Sequence, residues 1–497
     1  MCFALPILSR YVREQKRYSK KELMDTFQFN ETSFVEFVKK LKFSGVLKLV
    51  NKTTDESELT DLNEDIEVFD IDLNDDSYFY VFTFVGVLSI GNIIVKSFPK
   101  YIFSKEEPFE EMKEVIKVLN KYDSEEHIVN LYNGYDNQKE FNLLSVCLYL
   151  IKDYFENGLY TTEQEIIETN GDGEILWDNT IDETFAVIIR NKPYYTELQT
   201  INVNNDDLDY IVRLHKCIIT ECCEKLKNSD LLDLFDMPYI NLSDDDLESF
   251  GDTEYIIRKL QKELSVQFVT RKQILLKTLC IYLDNKKSFK ENLGFSMYGT
   301  NSFHAIWEKA CATVFDNQLS IQIGRLNLNT NLHEDYQNRK DDKLIEIIEK
   351  PIWTAFDSNK EHEVKHTLIP DLISLYELVD GEMCFGIFDA KYYNIVLDEK
   401  SLKNQPGVGD VTKQYLYQLA YNDFITKHDF KHVKNAFFMP TEDDYHILVG
   451  EAKMNMLRGL SNPPLINIAV VKLAARKVFK GYLNNEKFDI ATEIGFL

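Results

Sequence analysis

Pro370-Asp371 opens an apolar run, Leu372-Ile373-Ser374-Leu375-Tyr376-Glu377-Leu378. Val379-Asp380-Gly381-Glu382 follows, and a second apolar stretch, residues 383–396, carries Asp389-Ala390-Lys391. The two runs read as strands, and the Asp- and Gly-containing segment between them reads as a hairpin turn. Side chains alternate faces along a strand, so Asp389 and Lys391 project to one side. Asp371, on the neighbouring strand, can point into the same hollow. Two carboxylates suit a hard divalent cation, Mg²⁺ first and Mn²⁺ as its substitute. A lysine beside them can orient or activate a water. An edge hairpin bearing a solvated ion pair would show the same letters.

The acids and the lysine lie inside otherwise apolar segments, Phe385-Gly386-Ile387-Phe388 and Ala390-Lys391-Tyr392-Tyr393. This spacing resembles the hairpin of the PD-(D/E)xK nucleases. The resemblance implies phosphodiester hydrolysis, with Asp371, Asp389 and the Ala390 main-chain carbonyl on the metal and Lys391 at the water. A helix is expected over residues 411–426. There Gln414, Gln418 and Tyr421 share one face by their spacing. In many nucleases of this class a glutamine on this helix lies beside the active site, whereas a plain amphipathic helix would turn both glutamines to water. Gln418-Leu419-Ala420-Tyr421 is one residue short of the Q-h-x-x-Y box of RecB-like nucleases. Upstream, a helix expected over 302–318 has Phe303, Ile306, Ala310 and Val314 as its apolar face. Glu308 sits at its flank, either as a supporting metal or catalytic group or as a solvated glutamate.

Together these segments resemble the LlaJI-type restriction endonucleases, relatives of the McrC nuclease subunits. The stretches that carry the resemblance are His366-Thr367-Leu368-Ile369-Pro370-Asp371, Phe388-Asp389-Ala390-Lys391-Tyr392-Tyr393 and residues 413–421. Gly171-Asp172-Gly173-Glu174-Ile175-Leu176-Trp177 and Tyr298-Gly299-Thr300-Asn301-Ser302-Phe303-His304 add to them. The likeness runs from about Phe79 to the end. It implies a restriction nuclease that cuts double-stranded DNA, a separate McrB-like AAA+ GTPase subunit and a companion DNA methyltransferase.

The 497 residues carry a net charge of −26. Phosphate contacts need Lys and Arg, so this balance argues against a tight, stand-alone, non-specific DNA binder. It fits a nuclease brought to DNA by partners. The acid is clustered: residues 53–77 hold eleven Asp or Glu and no base, and residues 230–254 hold nine and no base. Residues 10–48 and 472–480 are rich in Lys and Arg. The eight cysteines form no C-x-x-C pair. Free thiols in a reducing cytoplasm are expected. No signal peptide is expected at the N-terminus. Residues 77–95 are uncharged, yet Gly91-Asn92 and the β-branched and aromatic content point to two strands, not a membrane span.

The expected class is multidomain α/β. Residues 1–75 would form a winged-helix-like domain with an acidic tail, three helices and the start of a wing, with Ser19 and Glu22 as a capping box. Its second helix, residues 32–41, would face DNA or a protein partner. Residues 76–292 would be a small sheet and a mainly helical, McrC-like spacer with a β insertion near 173–198. Residues 293–497 would be the nuclease domain.

His362-Glu363-Val364-Lys365-His366 matches the H-E-x-x-H zinc-protease box. That chemistry needs a helix, and the turn signal 357–360 before it, Pro370 after it and the alternation of Val364, His366 and Leu368 indicate a strand instead. No P-loop motif occurs. Two classes of function stay open: a nuclease, with a RecB-like repair enzyme as its variant, or a non-catalytic adaptor with a degenerate nuclease fold.

Overall fold

A five-stranded sheet organises the C-terminal region, and the hairpin forms its edge. Leu372–Glu377 and Met383–Ala390 pair antiparallel, with Leu372 opposite Phe388 and Glu377 opposite Met383. The turn closes through Gly381 N–H to the Leu378 carbonyl, 2.9 Å, and Leu378 N–H to the Glu382 carbonyl, 2.9 Å. Met383–Ala390 is buried along its whole length. It pairs parallel with His432–Thr441, which pairs parallel with Ile468–Ala474. Ile447–Ala452, which the sequence did not announce, closes the far edge antiparallel. The second hairpin strand ends at Ala390, short of the expected 396.

The computed structural model describes residues 8–51, 78–90, 93–126, 143–161, 163–205, 209–290, 295–328, 330–356, 360–461 and 464–495. The acidic stretch 53–77, the Gly91-Asn92 turn and most of the 357–360 turn signal lie outside the described residues.

Alternation decides which residues meet. Ile373 and Leu375 on one strand and Phe385 and Ile387 on the other pack against Tyr417, Tyr421, Phe424 and Ile425 of the helix Val408–Lys427. Burying each such side chain contributes roughly 1.5–3 kcal/mol. This helix joins two parallel strands and so is the crossover that a parallel pair requires. The opposite sheet face stacks Phe388 on Phe438 at 4.6 Å between ring centroids. Behind them, Trp307 of the helix Phe303–Val314 donates its ring N–H to the Phe438 carbonyl at 3.1 Å.

Contacts divide the chain into two compact units. One comprises Leu8–Leu88, Ile93–Lys139 and Tyr298–Leu497, and so contains both the N-terminal elements and the hairpin. In its N-terminal part, the first of the three expected helices is instead a strand, Leu8–Arg13, paired parallel with Ile93–Phe98. Its alternation over Tyr11, Val12 and Arg13 suits a strand that buries Val12. The other two helices are Lys20–Phe27 and Glu31–Phe43. Ser19 and Glu22 form the capping box, Ser19 N–H donating to Glu22 at 2.7 Å. Leu47–Asn51 and Tyr78–Phe82 then pair as a hairpin. Gly86 and Gly299, at φ +145° and +149°, let two chain segments touch: a Cβ on Gly299 would stand 2.2 Å from the Val85 carbonyl.

The other unit comprises Met1–Ile7, Ser89–Asn92 and Glu140–Met297. It is largely helical, with antiparallel strands Glu163–Thr169 and Gln199–Asn205 inserted. Asp209 caps the helix Tyr210–Lys227 through Ile211 N–H at 2.7 Å. The buried Asp153 carboxylate accepts both prongs of Arg271, at 3.1 and 2.8 Å. The seven described cysteines are free thiols. No helix among the described residues is long and apolar enough to cross a membrane.

Candidate active site

The register that pairs Leu372 with Phe388 puts Asp371 opposite Asp389, one step further along. Both follow the alternation of the crossover-helix face, on which Ile373, Leu375, Phe385 and Ile387 are packed. The Asp371 carboxylate accepts the Ala390 N–H at 3.0 Å, and its main-chain carbonyl accepts from Asn317 at 3.0 Å. Asp389 is only 4 % exposed. Lys391 Nζ stands 3.0 Å from Asp389 Oδ2 and 3.4 Å from Asp410 Oδ1. The Lys391 N–H is fixed to the Phe438 carbonyl at 2.9 Å, so the lysine leaves the sheet at a defined point.

Electrostatics follow from this crowding. Burial, then the Asp389 charge and its hydrogen bond, then Glu308, push the Asp371 carboxyl up to about 8, with Lys391 opposing. Two carboxylates so close cannot both ionise freely in a low dielectric. Burial disfavours the Lys391 ammonium, but Asp389, Asp371 and Asp410 outweigh it and hold its pKa above the ordinary lysine range. Glu308 also reaches this hollow: burial raises its carboxyl, Lys391 lowers it and Asp389 raises it again. It lines, with His304, Ala390 and Lys391, a cavity of about 500 Å³. Burial, then Lys100 and Lys391, depress the His304 imidazole.

The expected glutamines have a different position. Gln414 is fully buried and donates its amide to the Ile387 and Ala436 carbonyls at 3.3 and 3.2 Å. It therefore ties two neighbouring strands just behind the carboxylates instead of reaching into the hollow. Gln418 is 5 % exposed, and its Oε1 has no hydrogen-bond partner among the described residues. Neither glutamine faces water. Two neighbours of the site escaped the sequence reading. Asp410 sits in the first turn of the crossover helix, caps Gly407 N–H at 3.1 Å and reaches Lys391. An acid in the first turn of the helix that follows the hairpin was the available signal. Tyr417 donates to the Ile369 carbonyl at 3.0 Å, and burial, Asp389 and Asp371 push its hydroxyl up to about 12. No residue pattern distinguished it from an ordinary core tyrosine.

Among the described residues, no three His, Cys, Asp or Glu side chains stand together in ligating geometry. Two facing carboxylates are nonetheless a donor set that suits Mg²⁺, which usually keeps several waters and takes one or two carboxylates from protein. Burial first, and repulsion from Asp389 second, raise the Asp371 carboxyl, and a cation there would offset both. His362 lies on the exposed strand Lys360–Glu363, opposite Trp353, so the H-E-x-x-H letters are not on a helix.

Comparison with known proteins adds the family. A model of the LlaJI restriction endonucleases matches residues 84–476. The Type II restriction enzyme BsuMI component YdjA of Bacillus subtilis (strain 168) is 28 % identical over 421 residues, spanning 82 % of each chain. Among solved structures, a refined half-complex of Thermococcus gammatolerans McrB AAA+ hexamers with bound McrC aligns with 96 % of this chain and 99 % of the other. It does so at 14 % identity and a TM-score of 0.35. The Thermococcus gammatolerans McrBC complex aligns with 57 % of this chain and 85 % of the other, at 12 % identity and a TM-score of 0.22.

Proposed function

The chain belongs to the LlaJI restriction endonuclease family, and on that premise we propose that it is a Mg²⁺-dependent endodeoxyribonuclease, the cutting subunit of a restriction-modification system. The observation that carries this is the facing pair Asp371 and Asp389, with Lys391 Nζ 3.0 Å from Asp389. Asp371, Asp389 and the Ala390 carbonyl would hold the cation, Mn²⁺ substituting for Mg²⁺. Bound there, the ion would supply positive charge to the scissile phosphate and lower the pKa of a water.

The protein's own groups do the rest. Lys391, kept protonated by its three acidic neighbours, orients the attacking water and balances charge on the phosphate. The water oxygen bonds to phosphorus and gives up a proton to solvent, the bond to the leaving sugar oxygen breaks, and that oxygen takes a proton from a solvent water. Glu308 supports the site from the adjacent helix. Gln414 fixes the spacing of the strands that carry Asp389 and its parallel partner.

The relative from Bacillus subtilis is described as a component of its restriction enzyme. We extend that to this chain: a separate McrB-like AAA+ GTPase and a companion DNA methyltransferase complete the system. The test mixes purified chain with plasmid DNA after chelation. Activity should return with Mg²⁺ or Mn²⁺ and not with Ca²⁺. Site-directed cutting should further need the NTP-hydrolysing subunit. Recovery with Zn²⁺ alone would overturn the metal assignment, and fast site-specific cutting by the lone chain would overturn the partner assignment.

A further inference from the structure

A second cleft, about 690 Å³, adjoins the hollow that holds Lys391; Glu14, Gln15 and Lys100 line both. Its charge is opposite to that of the chain. In a protein of net charge −26, six cationic side chains line it against three acidic ones. Arg13 ends the N-terminal strand, Lys16 follows the turn after it and Arg17 opens the short strand Arg17–Tyr18, whereas Lys403 and Lys472 come from the nuclease region. The acids are already engaged by the protein. Glu14 accepts from Tyr392 Oη at 2.7 Å and from Lys100 N–H at 3.2 Å. Glu442 accepts from Phe103 N–H, Ser104 N–H and Ser104 Oγ, each at 2.9 Å. Asp443 accepts from Thr441 at 2.7 Å. Four of the six cations stand over aromatic rings: Arg13 4.6 Å from Phe103, Lys16 4.7 Å from Tyr18, Arg17 5.7 Å from Phe79 and Lys100 4.6 Å from Tyr392. Such support fixes a cation's position without neutralising it.

We propose that this cleft holds the phosphate backbone of the DNA beside the bond being cut, with Lys16, Lys403 and Lys472 as phosphate-contacting residues. The inference rests on the nuclease reading of the adjoining hollow. It also moves DNA contact away from the helix Glu31–Phe43, whose mixed Glu and Lys surface is the obvious alternative. The N-terminal segment is then part of the substrate channel. The buried Glu14–Lys100–Tyr392 cluster is its anchor, because Tyr392 follows Lys391 directly and Lys100 stands 4.6 Å over the Tyr392 ring.

Phosphate contacts are sequence-independent and salt-dependent, each adding about 0.9 to the slope of log K against log salt. The test uses the full chain, a labelled random-sequence duplex and Ca²⁺, and reads fluorescence anisotropy from low to moderate salt. The triple variant K16A/K403A/K472A should bind at least about tenfold more weakly, with the slope reduced by about 2–3. Lys39→Ala, on the helix Glu31–Phe43, should change neither. Unchanged affinity and slope in the triple variant, or no duplex binding by the wild-type chain at low salt, overturns the proposal. Asp389→Asn separates the two claims: in EDTA, where the cation that Asp389 would hold is absent from both proteins, it should bind duplex with the wild-type salt slope, and with Mg²⁺ it should cut nothing. If wild-type chain with its partner and Mg²⁺ fails to cut while the triple variant still loses binding, the cleft stands and the nuclease reading falls.

Discussion

The hairpin of Leu372–Glu377 and Met383–Ala390 and the ribbon of Ile352–Ala355 and Lys360–Glu363 are both antiparallel pairs, and both carry letters of a hydrolase motif. The ribbon is exposed at every position of both strands, including Trp353 and His362. The hairpin's second strand is buried at every position. On the ribbon, His362 and Glu363 are open to water, which screens charge interactions. On the hairpin, Asp371, Asp389 and Lys391 are brought together in a low dielectric, and the Asp371 carboxyl rises to about 8. A motif becomes chemistry where neighbouring strands and helices force its groups into one desolvated place.

The sharpest way to break this contrast is to remove the charged groups. Asp371→Asn, Asp389→Asn and Lys391→Ala should each lower cleavage by several orders of magnitude. Initial rates on plasmid DNA measure this. Because the three act as a unit, the double variant D371N/D389N should be little worse than either single one. Near wild-type rates from any two of the single variants would place the active site elsewhere.

The next effect is on stability. With its pKa raised, Asp371 in the metal-free protein keeps a proton that the unfolded chain releases above about pH 4. Native stability should therefore fall as pH climbs from there through about 8. In EDTA, the melting temperature should drop across this window, and Asp371→Asn should flatten the drop. Mg²⁺ at a hundredfold excess over Kd should add about 2.7 kcal/mol to wild type and much less to the variant. A wild-type melting curve indifferent to both pH and Mg²⁺ would contradict the carboxylate pair.

How far the letters carried can be judged residue by residue. Two apolar runs on either side of Val379-Asp380-Gly381-Glu382 were enough for the hairpin: both faces of Met383–Ala390 are buried, so the strand is written as a continuous apolar run. The crossover helix was legible from its apolar positions, and the capping box at Ser19 from local hydrogen-bonding preference alone. Leu8–Arg13 was not legible as a strand: its pairing with Ile93–Phe98 spans most of the N-terminal region, and no local propensity encodes such a partner. Gln414 illustrates the same limit within the site. Its helical face was predictable, but its bonds to Ile387 and Ala436 depend on two strands from either side of the helix in sequence.

Gln414 accordingly offers a smaller, different test. Gln414→Ala removes a buried donor from two carbonyls and should cost about 1–3 kcal/mol of stability. Denaturant unfolding reads this directly. Cleavage at low temperature should stay within about tenfold of wild type, because the amide supports the strands without touching the reacting atoms. A rate loss as large as that of Asp389→Asn, at unchanged stability, would make Gln414 a catalytic group after all.

The smallest expected effect is none. His362→Ala and His366→Ala alter the ribbon and the segment leading to Pro370, where both side chains are exposed. Surface substitutions away from caps, cores and networks usually stay within ±0.5 kcal/mol. Neither histidine lines the carboxylate hollow, and the strand that carries His362 ends at Glu363 with a bend at Lys365 before His366, so no helical turn brings the two to one ion. Cleavage rate, melting temperature and Mg²⁺ response should therefore match wild type for both variants and for the double. A zinc requirement that disappears with either histidine would reverse the contrast between the two hairpins, because the exposed one would then be the catalytic one.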